Sequence, residues 1–420
     1  MTEAGGPGWG DEPYAGPPPT ARYGAPPLVP GALPGLHPHL PPGAPGPVPW
    51  PLGPVPMPPG PHTHPSGPPG PWTGPPGPAP WGPPAPWGPS WGPPPPWAVP
   101  PWALPKPLPH DVPTPFLLVM RARTWRWWQP LLGLFLFAVV YTVGAFAVVF
   151  LGAVAVVSRG AVDLEFDDLT DPATLLITNL SLIVAIPVVW LCWVAAHQLP
   201  IGSSSSVLGR LRWDLFRAYV PLAVLALGLG IAVQLGLGVA LDDGAEVTGP
   251  VRSFALLVFF VLLTTPLQSA AEEYVFRGYL SQAIAAWIGR ERAGALVAAL
   301  LTATLFSLAH VPGDLLLFLD RFAFGLAASA VVALTGGLEA AIVLHAVNNV
   351  LVFLLAGALG EGVETDATVS GWSGLVVVLL DVLAMAAYVL LVRRSVGRRP
   401  PATRTPAQDL RLRPVGAAAR

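Results

Sequence analysis

Six side chains in this chain are of types that can perform chemistry and stand where charge is expensive. Glu272, Glu273 and Arg277 come at the end of the apolar run 254–271, which contains no charged residue. A carboxylate pair at membrane depth marks a functional site by default, because each charge there costs a few kcal/mol on insertion scales. On a helix Glu273 and Arg277 share a face four residues apart, whereas Glu272 points about 100° away and is free to address another helix. Further on, His310 closes an apolar run with Phe306 one turn before it, and His345 and Asn349 lie one turn apart inside another. A lone membrane histidine is ordinarily a bond between helices. Two imidazoles, two carboxylates and an amide instead form a set suited to general-base catalysis with a polarising donor.

The set Glu272-Glu273-x-x-x-Arg277, Phe306-x-x-x-His310 and His345-x-x-x-Asn349 resembles the three motifs of the CAAX protease and bacteriocin-processing family, whose eukaryotic members are the CAAX prenyl endopeptidases. The resemblance spans roughly 250–355. It implies that Glu272 is the base that activates water, with Glu273 and Arg277 orienting it. His310 then helps hold that water or a metal, and His345 and Asn349 bind the same centre or stabilise the oxyanion. A divalent metal such as Zn2+, if one is used, would take Glu272, His310 and His345, a three-ligand set with one open position. The implied substrate is a membrane protein or peptide, and the implied location a bacterial plasma membrane.

These residues need helices to position them. With 52% hydrophobic and 11% charged residues, the composition is that of an all-α polytopic membrane protein rather than a soluble domain. Spans of about 20 apolar residues are predicted over 131–157, 173–196, 218–241, 254–282, 294–310, 315–334, 338–357 and 372–392. The eight-helix core is therefore 116–395, with 250–355 its catalytic region. Arginines flank alternate loops (Arg121, Arg123, Arg126; Arg210, Arg212, Arg217; Arg290, Arg292; Arg393, Arg394, Arg398, Arg399), and acidic residues fill the others (Asp163 to Asp171; Asp242, Asp243, Glu246; Glu361, Glu364, Asp366). That asymmetry predicts both termini in the cytoplasm. Trp125, Trp127 and Trp128, together with Trp213 and Trp287, read as interfacial anchors.

Residues 1–115 are rich in Pro, Gly and Trp, with units such as Pro80-Trp81-Gly82-Pro83. Prolines at that density remove donors and fix φ, which predicts a disordered tail of polyproline II character. Residues 396–420 read as a basic cytoplasmic tail. No basic stretch argues for nucleic acid, and the single Cys192 excludes an internal disulfide framework. Asp320, Arg321 and Asp381 also fall inside spans; pairing with other helices is the expectation for the first two, and help in positioning the site is the role open to Asp381.

Depth raises a difficulty. At 1.5 Å per residue, His345 and Glu272 lie about 12 and 15 Å from the arginine-rich ends of their spans, but His310 lies about 24 Å from the end of its own. A transporter or proton relay would also bury Glu, His and Asn, though the halves show no internal repeat. A non-proteolytic scaffold of the same fold is the other alternative.

Overall fold

The computed structural model describes residues 108–158, 168–241, 249–360, 363 and 371–406, all within the unit Trp91–Arg420. The Pro/Gly/Trp tail to residue 107, the stretch 407–420 and most of the acidic loop residues, Asp163 to Asp167, Asp242 to Glu246 and Glu361 to Asp366, lie outside the described residues.

Among the described residues the regular elements are helices, apart from two isolated bridges, Pro115 with Arg404 and Ser206 with Gly337. They are α1 (Gln129–Val157), α2 (Pro172–Ile183), α3 (Ala185–Ala195), α4 (Trp213–Leu241), α5 (Phe254–Val275), α6 (Ser281–Ile288), α7 (Glu291–Ala309), α8 (Leu315–Thr335), α9 (Glu339–Leu359) and α10 (Gly371–Arg398). Among the described residues, eight segments are long and apolar enough to cross a membrane, α2–α3 and α5–α6 each counting as one. The expected all-α, eight-span architecture is thus the observed one.

The outward faces are apolar. Phe135, Phe146 and Phe150 on α1, and Leu262, Leu263 and Leu267 on α5, are all exposed, as they must be where the solvent is lipid. The interior is built on α5 and α9, which pack on each other, with α2 behind α5, α7 against α8, and α10 against α4 and α8. Small residues permit the closest approach. A Cβ on Gly325 of α8 would come within 2.7 Å of the Ala303 backbone on α7, so glycine is what lets these two helices touch.

Two departures from the expected spans bear on the site. The fourth span runs past Gln282. One wide turn, Phe276–Leu280, in which hydrogen bonds reach five residues back, carries α5 into α6, and the 35-residue segment stops only at Ile288, before Gly289. Such π turns are frequent at functional sites. The second departure is the start of α9. Gly336, at φ 70°, ends α8, and Leu338 through Leu344 are buried from the first residue. The helix therefore begins inside the protein rather than at its surface.

What covers that start is a polar cap. Ser203 to Ser206 are all buried. Leu338 N donates to Ser205 O at 2.9 Å and Val207 N to Gly336 O at 3.0 Å. Arg212 forms a buried fork with Glu339, Nη2 to Oε2 at 2.6 Å and Nε to Oε1 at 2.8 Å. Its Nη1 donates to Thr335 O and to Ala402 O. The segment after α10 is tied in turn to residues before α1, Thr405 N donating to Thr114 O at 2.8 Å. Within 108–115, which composition groups with the tail, His110 is buried and bonds Val119 O at 2.8 Å, whereas Leu108 and Val112 are exposed.

These features dispose of the depth difficulty. Counted from Ile288, Glu272 lies about 24 Å along its span, close to the roughly 28 Å of His310 counted from Glu291 at the start of α7. His345 is only six residues into α9, but α9 starts beneath the cap.

Candidate active site

All six expected residues converge at the junction of α5, α7 and α9. Glu273 and Arg277 pair as their spacing predicts, Arg277 Nη1 to Glu273 Oε1 at 2.9 Å, with both side chains fully buried. The same Oε1 lies 3.0 Å from His345 Nδ1. Arg277 Nη2 also donates to Gly325 O at 3.0 Å, which ties the pair to α8. Glu273 is bonded to His345 and to Arg277, and Arg277 to Glu273 and Gly325 O, so the bonds described for this pair run to α9 and α8 rather than to Glu272. Glu273 points across to α9 because it lies about 100° from Glu272 around the helix.

Glu272 faces the two imidazoles. Its Oε2 lies 3.7 Å from His310 Nε2 and 3.8 Å from His345 Nε2, too far for direct hydrogen bonds, and this buried oxygen has no bonding partner among the described residues. Its Oε1 accepts from Gln268 Nε2, one turn earlier on α5. Gln268 Oε1 accepts from Asn349 Nδ2 at 3.3 Å. Glu272 is therefore not free of its own helix, and Gln268, which the sequence reading passed over, joins it to Asn349. A glutamine one turn before a membrane Glu pair was the available signal.

The ring tautomers follow from the partners. Carboxylates and carbonyls accept only. His345 Nδ1 faces Glu273, and His310 Nδ1 faces Phe306 O at 2.7 Å. In each neutral ring Nδ1 then carries the proton, and the Nε2 lone pair looks toward Glu272 Oε2. Phe306 also earns its place in the motif. Its ring packs on His310 at 4.5 Å, on His345 at 5.7 Å and on Phe324 at 5.6 Å between centroids, and the Arg277 guanidinium lies 5.0 Å from its centre.

Exposure gives the direction of access. The side chains of Glu273, Arg277 and His345 are 0–3% exposed, those of Glu272 and His310 12% and 32%. The site is closed behind the first group and open at the second.

Of the other intramembrane charges, Asp381 Oδ1 accepts from Gln234 Nε2 at 2.7 Å, joining α10 to α4. Asp320 Oδ1 and Arg321 Nη1 have no hydrogen-bond partner among the described residues, so the pairing expected for them is not formed at those atoms. Trp287 Nε1 donates to Trp127 O at 2.8 Å, which links two of the expected anchors; Trp213 is exposed.

For a metal, the donor chemistry of Glu272, His310 and His345 is suitable, since two Nε2 lone pairs and a carboxylate oxygen point inward with their other atoms held by bonded neighbours. The spacing is not. Ligands about 2 Å from a tetrahedral zinc stand roughly 3.3 Å apart, short of the separations observed, and among the described residues no group of three or more His, Cys, Asp or Glu side chains is placed to hold a metal ion. No step below is routed through one.

Residues 253–351 match the family model described as Type II CAAX prenyl endopeptidase Rce1-like. The matched segment holds all six motif residues, and the family resemblance read from them is borne out. No curated protein and no solved structure matches the chain.

Proposed function

We propose that this Rce1-like membrane protein is an intramembrane endopeptidase that hydrolyses a peptide bond in or beside the bilayer with a water activated by Glu272. One observation carries the reading: a carboxylate oxygen and two imidazole nitrogens, all acceptors, face one another at 3.7 and 3.8 Å. A water with bonds of about 2.8 Å spans acceptors so spaced. It donates one hydrogen to Glu272 Oε2 and the other to an imidazole, which leaves an oxygen lone pair for attack on the substrate carbonyl.

As the oxygen–carbon bond forms, Glu272 takes the proton, and it returns that proton to the amine when the carbon–nitrogen bond breaks. The developing oxyanion needs a donor. Asn349 Nδ2 has two hydrogens and gives one to Gln268, so the second serves that purpose. Of the two roles the resemblance implies for His345, binding the water centre is the one this reading gives it: with Nδ1–H held by Glu273, its ring accepts at Nε2 and positions the water. Arginine-rich loops place both ends of the core in the cytoplasm on this reading, and the substrate is a membrane-anchored protein or peptide.

The test is Glu272→Gln, which preserves size and removes the base. Cleavage of membrane-anchored peptides by the purified protein in detergent should fall ~10²- to 10⁴-fold. Turnover near that of the unsubstituted protein would end the mechanism.

A further inference from the structure

We propose that Gln268 is a positioning residue that orients the base Glu272 and the donor Asn349 together, through a hydrogen-bond chain that can run in one direction only. The inference rests on the hydrolytic reading above.

Four side chains form the chain. Asn348 Nδ2 donates to Asn349 Oδ1 at 3.3 Å, Asn349 Nδ2 to Gln268 Oε1 at 3.3 Å, and Gln268 Nε2 to Glu272 Oε1. Ser269 Oγ adds a second donor to Gln268 Oε1 at 3.3 Å. An amide taken alone can be turned either way. Here the charge on Glu272 removes the choice. A carboxylate only accepts, so Gln268 must present its NH2 to Glu272, which turns its carbonyl to Asn349. Asn349 must answer with its own NH2, and its carbonyl is thereby sent to Asn348.

Two consequences concern the reaction. Glu272 Oε1 is committed to Gln268, so Oε2 is the oxygen held toward His310 and His345. Asn349 shows the substrate a hydrogen rather than a carbonyl oxygen, which an oxyanion would repel. Without Gln268, Asn349 has no acceptor on α5 to select its amide orientation, and Glu272 has no bond on α5 to hold its rotamer.

The competing explanation is that Gln268, which is buried, merely fastens α5 to α9, as membrane amides often do. A control for that role exists on the same helix. Asn179 Nδ2 on α2 donates to Thr264 Oγ1 at 2.8 Å and to Thr265 Oγ1 at 3.1 Å, a buried tie about two turns before Glu272 whose bonds involve none of the six motif residues.

The experiment compares Gln268→Met, Gln268→Glu and Thr265→Val in the full chain. Met keeps the length and removes both bonds; Glu keeps the acceptor for Asn349 and replaces the donor to Glu272 by an oxygen. With peptide cleavage as the assay, Gln268→Met should lower kcat ~10²-fold, the cost of misplacing groups by about an ångström, with KM within about twofold. Gln268→Glu should be no faster. Adding Asn349→Ala to Gln268→Met should give far less than the product of the single losses, because the groups act as a unit. Thr265→Val should keep the original kcat. A structure of the Gln268→Met protein should show Glu272 and Asn349 in new rotamers.

Unchanged kcat in Gln268→Met, an equal loss in Thr265→Val, or unmoved Glu272 and Asn349 in the variant's structure would each overturn the proposal. Should the unsubstituted protein cleave no peptide, the hydrolytic reading fails, while the rotamers in the variant's structure still decide whether Gln268 positions its neighbours.

Discussion

Replacing Glu273 by Gln changes one oxygen for an NH2 and separates two functions that the carboxylate performs at once. The side chain is fully buried, and a single oxygen receives both Arg277 Nη1 at 2.9 Å and His345 Nδ1 at 3.0 Å. Without the negative charge, Arg277 is a buried cation whose bonded acceptors, the amide oxygen and Gly325 O, are both neutral, and removing the charged partner of a buried pair costs ~3–5 kcal/mol. Nor does the amide oblige His345 to keep its proton on Nδ1, because its NH2 can donate where the carboxylate could only accept. His345 can then carry its proton on Nε2, with Nδ1 accepting from the new NH2. That presents a hydrogen rather than a lone pair toward Glu272, and a wrong tautomer at a catalytic imidazole costs ~10⁴-fold in rate. Both effects are measurable, as unfolding free energy in detergent and as peptide turnover. The double variant Glu273→Gln/Arg277→Met tells them apart. It removes the unpaired charge, so stability should return most of the way, whereas the rate should stay low. Recovery of rate along with stability would show that Glu273 serves only to neutralise Arg277, and the tautomer argument would fall.

Gly325→Ala should be destabilising by about 1–3 kcal/mol, because the new Cβ would stand 2.7 Å from the Ala303 backbone and force α7 from α8; an unchanged melting temperature would show that the two helices have slack. His197, beyond the end of α3, is buried with Nε2 3.0 Å from Tyr279 OH, and burial pushes its pKa down to about 4. Between about pH 6.5 and pH 4 the unfolded chain therefore takes a proton that the folded chain refuses. Stability should decline by up to about 3 kcal/mol as pH falls through that window and level off below it. His197→Asn should flatten this slope relative to the original protein in paired unfolding measurements, and identical slopes would refute the assignment.

Much of the architecture was legible because lipid imposes a simple rule: every spanning segment must be long, apolar and internally bonded. Predicted and observed boundaries of the first, third and sixth spans agree at their apolar ends, Val157, Leu241 and Leu315. The fourth did not: its predicted end at Gln282 falls where Ser281 and Gln282 are buried inside a continuing helix. Glu272, Glu273, Arg277, His310, His345 and Asn349 could be picked out because charge and imidazole are rare in such company. Their wiring could not. That Glu273 serves His345 and that Gln268 joins Glu272 to Asn349 depends on how α5 and α9 are rotated against each other, which helical spacing within one segment does not contain. The submerged start of α9 was hidden for a similar reason. Its cover comes from Ser203 to Arg212 and from Ala402 and Thr403, residues distant in sequence that carry no mark of shared position.

That cover also sets an order of events during synthesis. Arg212 is made before its partner Glu339, and its Nη1 takes one of its two carbonyl partners from Ala402, which follows every spanning helix. The bundle can thus be fully inserted while one donor of its central cation is still unmet. Thr405 and Thr114 join only then, closing a ring from before the first span to after the last. A nascent chain halted at the end of α10 would hold all eight spans and still lack the bonds from Ala402 and Thr405 that complete the cover over the start of α9.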